Sequence, residues 1–247
     1  MIHPDVRAVI PWMPEPIVQQ DGTSNNDGER HAAKRCVATL RHAYPHLQFI
    51  VTEDSLRANA PHMETLQDHH LHSILGVKEG DHALLFRQVQ AADQAGRVTH
   101  DVRHDRATGC VHRFRLVNQV PLHASHAEVR GNFIAYWERH GETVQHCRWV
   151  TDLRVSTRNV LHLMRGGRAR WKIDNETFNT LKNQGDHVEH TDGHGEQHLS
   201  VVFAIGMMLA FLVDQTQQRC CALLQAVWAK LGSKRLRWER LRALCYD

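Results

Sequence analysis

The sequence predicts an α/β protein: a mixed sheet with a β-rich insertion, followed by a helical C-terminal region. Three observations carry that expectation. Between residues 29 and 94, short apolar runs alternate with stretches of helical periodicity, the pattern of strands crossed over by helices. From Gly96 the periodicity switches to two, in VTHDVRH, CVHRFRLV, NFIAYWER and VQHCRWVTDL, which predicts antiparallel strands. From about residue 157 onward the pattern is helical again, ending in the basic stretch SKRLRWERLRALCY.

Taken in order, the first residues hold Pro4, Pro11, Pro14 and Pro16 and then the polar run DGTSNNDGER. Proline cannot donate to a ladder, so an extended segment and loop are expected. Ala33, Val37, Leu40 and Tyr44 recur at helical spacing and Pro45 follows, giving a helix over residues 29–44. Asp27 is expected to cap it, with Glu29 in its first turn. QFIVTED reads as a buried strand whose C-terminal tip carries Asp54. A short helix over 61–68, a second buried strand in HSILGVK and a helix over 81–94 complete a segment for which a parallel sheet is the natural inference. The antiparallel block follows over about 96–152. Residues 1–212 are read as one α/β domain containing that block, and residues 213–247 as a helical basic tail.

Composition sets bounds on function. The chain has 247 residues and 42% apolar content, enough for a real core, and 30 Lys and Arg against 27 Asp and Glu do not announce a polyanion partner through net charge. Any nucleic-acid surface must be local. The six cysteines form no C-x-x-C pair and no regular framework, so reduced structural thiols are expected. No basic segment precedes an apolar run at the N-terminus, so no signal peptide is read and a cytoplasmic location is expected. The longest apolar run, over residues 199–213, contains Ser200 and Gly206 and is shorter than a bilayer span, so it predicts a buried helix and no membrane partner. The histidines of HVEHTDGHGEQH lack the acid that a zinc-protease helix places directly after its first His and are expected in a solvated loop.

The strongest local signal is GGRARWKIDNETFNTLKNQG, residues 166–185. On a continuous helix at about 100° per residue, Trp171, Phe178 and Leu181 share a buried face, with Asp174 between Leu181 and Phe178. Arg170 lies about 40° from Asp174 and Glu176 about 160° from it, so at most one of the two acids can point into a given site. A carboxylate on an apolar face is costly unless it is paired or binds a cation. An Arg170–Asp174 ion pair at i, i+4 is the plain alternative.

Arg170, Trp171, Ile173 and Asp174, followed by Phe178, Leu181 and Lys182, resemble the Arg-Trp-x-Ile-Glu…Phe…Leu-Lys helix of bacterial insertion-sequence transposases of the DDE class. VTEDSLRANAPHMETL, HSILGVKEGDH and WVTDLRVSTRNVLHLMR are similar to segments of the same family, so the likeness spans essentially the whole chain. The resemblance implies a ribonuclease-H-like fold and DNA transposition by hydrolysis and strand transfer at phosphodiester bonds. It implies two Mg²⁺ or Mn²⁺ ions on three carboxylates, hard oxygen donors suited to such ions. Asp54 then matches the second catalytic Asp and metal ligand, and Asp174 the catalytic Glu and metal ligand. Glu176 is the alternative acid. Arg170, Lys172 and Lys182 become the expected DNA contacts. Transposon-end DNA and a second copy in a synaptic complex are the implied partners, and a nucleoid-associated bacterial location goes with them.

Three departures accompany the likeness. Asp174 is one methylene shorter than the family's Glu, and its spacing to Lys182 is one residue longer than in the commonest signature. The family's first catalytic Asp lies on a strand well upstream of a segment like IHPDVRAVIPWMPEP, so the chain is expected to begin too late to carry it. Asp21 sits in an Asp-Gly-Thr context but follows no apolar strand and is read as a loop residue. The rival reading is an inactive remnant that binds DNA or dimerises. The basic tail around Trp228 and Trp238 is read either as a DNA-backbone contact or as a charged surface helix.

Overall fold

The structure is a computed structural model describing residues 1–17, 25–55, 58–123, 126–183, 199–233, 235–236, 239–240 and 242–243, with the backbone alone at residues 7, 8, 25–27, 127, 176, 180 and 183. In chain order its elements are β1 (Ile2–His3), β2 (Val6–Val9), α1 (Asn25–Ala43), β3 (Ile50–Glu53), α2 (Ala60–Asp68), β4 (His72–Gly76), α3 (Ala83–Gln94), β5 (Thr99–His104), β6 (Val111–His123), β7 (His126–His140), β8 (Thr143–Thr151) and α4 (Val160–Ala169). A π-helical segment (Ile173–Phe178), α5 (Asn179–Asn183), α6 (Leu199–Cys220) and α7 (Ala222–Leu231) follow. The chain divides into two compact units, residues 21–168 and residues 1–20 with 169–247.

The larger unit is built on one mixed six-stranded sheet in the order β3-β4-β8-β7-β6-β5. Only β3 and β4 are parallel, paired from Ile50↔His72 to Glu53↔Leu75. The α2 crossover makes this possible, since parallel neighbours need a connection that returns the chain to its starting end. Asn59 caps α2 by accepting from the His62 amide at 3.0 Å, with Pro61 in the first turn where its missing N–H is harmless. The remaining strands are antiparallel, as their period-two sequences predict, and β8 pairs with β4. The expected parallel sheet and the expected antiparallel block are therefore one sheet, joined at the β4–β8 ladder.

Alternation puts Leu75, Val117, Phe133 and Val150 on one face, packed under Met63 of α2 and Leu85 and Val89 of α3. Ile74, Leu116, Ile134 and Trp149 lie on the other, packed under Val160, Leu163 and Met164 of α4. Gly167 allows α4 to lie close to the sheet, for a Cβ there would sit 2.7 Å from the Trp149 ring. α1 packs through Val37 with Leu66, Leu71, Phe49 and Val51. Its Arg41 donates to the carbonyls of His69 (2.8 Å), His70 (3.0 Å) and Leu47 (3.0 Å), so one guanidinium holds two turns in place.

Several expectations are corrected. The N-terminal segment contains an antiparallel hairpin, β1 with β2. Its prolines all lie outside the two strands, so they block neither. α1 begins at Asn25, which puts Asp27 inside its first turn rather than at the cap. β3 is an edge strand and its residues are half-buried or exposed, not buried. The apolar run after residue 199 belongs to a helix of 22 residues, long and apolar enough by length and composition to cross a membrane, with 6% of its apolar window buried. Val202, Leu209 and Val213 on it are exposed and Phe211 alone of its described residues is buried. The helix runs on beyond the apolar run into DQTQQRC, which is why its length exceeds the expectation. Asp21, the histidines of residues 187–198, Lys234, Arg237 and Trp238 lie outside the described residues.

Candidate functional site

The acids singled out in the sequence fall in different units, Asp54 in the larger one and Asp174 in the smaller. Asp54 directly follows β3 and is exposed. The turn that carries it is fixed from three sides. Glu53 Oε2 lies 2.5 Å from His62 Nε2 on α2. Gly76 of β4 lies against the Glu53–Asp54 backbone, where an added Cβ would be 3.5 Å from the Glu53 carbonyl oxygen. His82 Nε2 meets the Ala58 carbonyl oxygen at 2.7 Å. A second carboxylate on the same sheet, Asp152 after β8, accepts from the Ser73 amide at 2.6 Å and meets His72 Nδ1 at 2.7 Å. It ties the start of β4 to the end of β8 and is thereby occupied structurally.

Asp174 sits in a different local setting from the one a regular helix implies. α4 ends at Ala169, and from Ile173 to Phe178 the chain is π-helical, with the Asn179 amide donating to the Asp174 carbonyl five residues back. One extra residue per turn shifts the phase of every side chain after it. Leu181 is fully buried with Val9 and Phe211, as expected. Trp171 and Phe178 are each 42% exposed and do not join it, which corrects the expected buried face. The Asp174 side chain is 54% exposed and lies 3.4 Å from Arg170 Nη1 at i, i+4. Water and a neighbouring cation therefore support its charge, and no buried bare carboxylate has to be explained.

The three expected basic contacts differ sharply. Arg170 faces Asp174, and Lys182 is exposed on α5. Lys172 Nζ donates to the carbonyls of His3 (2.8 Å), Pro4 (2.7 Å) and Val6 (2.8 Å), filling all three ammonium donors with backbone of the β1–β2 hairpin. Only the backbone of Glu176 is described, within the π-helical turn. Thr177 beside it is buried, and its hydroxyl has no hydrogen-bond partner among the described residues.

Two features here escaped the sequence reading. Lys172 binds carbonyls more than 160 positions away in the chain, and no local pattern announces that. The π-helical turn was missed because the expected angles assumed a uniform α-helix. As donors, Asp54 and Asp174 offer exposed hard oxygens of the kind Mg²⁺ takes. Among the described residues no three His, Cys, Asp or Glu side chains group in a way that could hold a metal ion. No family model matches the chain, and no curated protein matches it significantly.

Proposed function

We propose that the chain is a bacterial insertion-sequence transposase of the DDE class, with a ribonuclease-H-like catalytic fold and a β-rich insertion. The reading is carried by the Arg170-Trp171-Lys172-Ile173-Asp174 motif, whose acid is exposed, paired with Arg170 and set at a π-helical turn. π-helical turns occur frequently at functional sites. Support comes also from Asp54 at the C-terminal tip of a parallel strand, where a carboxylate is held clear of the sheet. Among the described residues the outer edge of β3 has no ladder partner.

In this reading Asp54 and Asp174 hold divalent cations, with Glu176 as the alternative to Asp174. Two Mg²⁺ or Mn²⁺ ions would supply activation of the attacking oxygen and stabilisation of the leaving oxygen. Arg170 orients Asp174 and Lys182 offers a cation to phosphate. Lys172, the third basic residue of the motif, donates to the β1–β2 hairpin and so supports the segment beside Asp174. The partners are transposon-end DNA and a second copy in the synaptic complex, and a cytoplasmic, nucleoid-associated location belongs to the same proposal.

A second reading, an inactive remnant that binds DNA or dimerises, is favoured by one observation. Asp174 is the shorter acid and is already engaged by Arg170. A metal-dependent strand-transfer assay with matching terminal repeats separates the two. An active enzyme loses product in Asp54→Asn and Asp174→Asn, and Asp174→Glu raises the rate by extending the carboxylate one methylene toward the metal. A remnant binds the repeats and gives no product in any variant. Product that survives both Asn substitutions sinks the assignment of these acids.

A further inference from the structure

The sheet face under α3 is covered only in part. α3 reaches Arg115, whose Nη2 donates to Asp93 at 2.7 Å, and beyond that point the same face continues to the turns at residues 105–110 and 141–142. The ladder registers place two rows of side chains across it. One runs Val102–Arg113–Trp137–His146 and the next His104–Val111–Arg139–Val144. Val102, on the edge strand β5, and Val144, at the start of β8, are 52% and 57% exposed. Between them lies a cleft of about 630 Å³ lined by those valines, Trp137, Arg113, Arg139 and one carboxylate, Glu142.

The charge on this surface is compensated only in part, by the Arg115–Asp93 pair and by Glu142. Arg113 and Arg139 carry no ion pair among the described residues, and Arg115 Nε is buried without an acceptor. The apolar floor is stiff, since the Trp137 ring stacks on His146 at 4.6 Å with planes 8° apart. Cations above a floor of aliphatic and aromatic side chains match a ligand that carries regular negative charge and exposed flat apolar surface together. A duplex shows a protein mainly phosphate and sugar, with base faces hidden in the stack. An unpaired strand shows both phosphates and base faces, and aromatic and guanidinium planes serve it as a stacking platform.

We infer that the open half of the sheet face, from Val102 to Val144 across β5–β8, is a binding surface for single-stranded nucleic acid. Arg113 and Arg139 take the phosphates, and bases lie on Val102, Val144 and Trp137. The surface lies wholly within the larger unit and does not depend on Asp54 or Asp174.

The test uses the full chain and a fluorescent single-stranded oligothymidine of roughly 15 nucleotides, followed by anisotropy at low and high salt. Binding should saturate, weaken steeply with salt, and drop about tenfold or more in the Arg113→Ser/Arg139→Ser double variant. Val102→Asp/Val144→Asp should abolish it, since both positions are exposed and their substitution leaves the core intact; circular dichroism checks the fold of each variant. A duplex of the same length and a polyglutamate peptide serve as competitors. The inference is overturned if the oligothymidine does not bind, if either double variant binds as well as the parent, or if the duplex or the peptide competes better than unlabelled single strand. Strand transfer measured on the same preparations is a separate readout, so a failed metal site and a failed sheet surface are told apart.

Discussion

Lys172 shows how a single residue can tie together segments far apart in the chain. Its ammonium gives each of its three N–H groups to a carbonyl of residues 3–6, binding the hairpin to the segment that carries Asp174. Hydrogen bonds from a charged donor contribute about 1.5–3 kcal/mol each, less where water competes, so Lys172→Met should destabilise this unit by roughly 1–3 kcal/mol. Amide exchange in residues 1–10 should accelerate while β5–β8 keep their protection. Unchanged exchange there would show that the hairpin is held by other contacts. Tyr136 offers a titration instead. Burial raises its phenol above the ordinary range, the Glu138 carboxylate adds to that, and Arg168 opposes it. The native state thus holds the proton more tightly than the unfolded chain. The corresponding stability is complete below about pH 10, the free tyrosine value, and is lost as pH rises through the native value. Spectrophotometric titration should find one phenolate component displaced to higher pH, absent in Tyr136→Phe. The variant should also lose less stability than the parent in the alkaline range.

At the scale of elements, α4 depends on Gly167 for its close approach to the sheet. Replacing Gly167 by alanine gains about 1 kcal/mol of helix propensity, but places a methyl 2.7 Å from the Trp149 ring in a packed layer. Overpacking of that kind costs typically 1–3 kcal/mol, so the steric effect wins and the urea midpoint of Gly167→Ala should fall. A midpoint that rises would mean the helix can lift from the sheet without loss. Elements were legible in the sequence where one side-chain period ran unbroken. β5 and β8 lie where the pattern puts them and α3 differs only by its first two residues, whereas β6 and β7 run on to His123 and back from His126, past register shifts after Val117 that break the period. Legibility failed where local geometry broke the period. Trp171 and Phe178 were assigned to one face on the assumption of a uniform helix, and the π-helical turn between them invalidates the angles. The hairpin β1–β2 was hidden among prolines, and α6 looked buried because a sequence does not say what an apolar stripe faces. Of the candidate site, the exposed tip at Asp54 and the Arg170–Asp174 pair were readable, the latter because i, i+4 contacts are local. The Glu53–His62 and Asp152–His72 contacts join segments through the fold and left no local trace.

For the whole molecule, the two units should differ in stability. The larger one has apolar layers on both faces of a six-stranded sheet, whereas the described core of the smaller is Val9, Leu181 and Phe211 with Ile2 and Met208 beside them. Native-state hydrogen exchange should therefore report opening of residues 1–17 and 170–183 at much lower free energy than opening of β6–β8. Coincident protection across both would show a single cooperative body. The mixed sheet also has a consequence for the order in which the protein assembles. β5, β6, β7 and β8 follow one another through short turns, so their ladders close at little entropic cost, whereas β4 must find β8 by bringing residue 75 against residue 150. The meander should thus form early as a template, with β3, α2, β4 and α3 condensing onto its β8 edge in the slow step. A ribosome would have to release the whole meander before the segment bearing Asp54, made first, had anything to fold against.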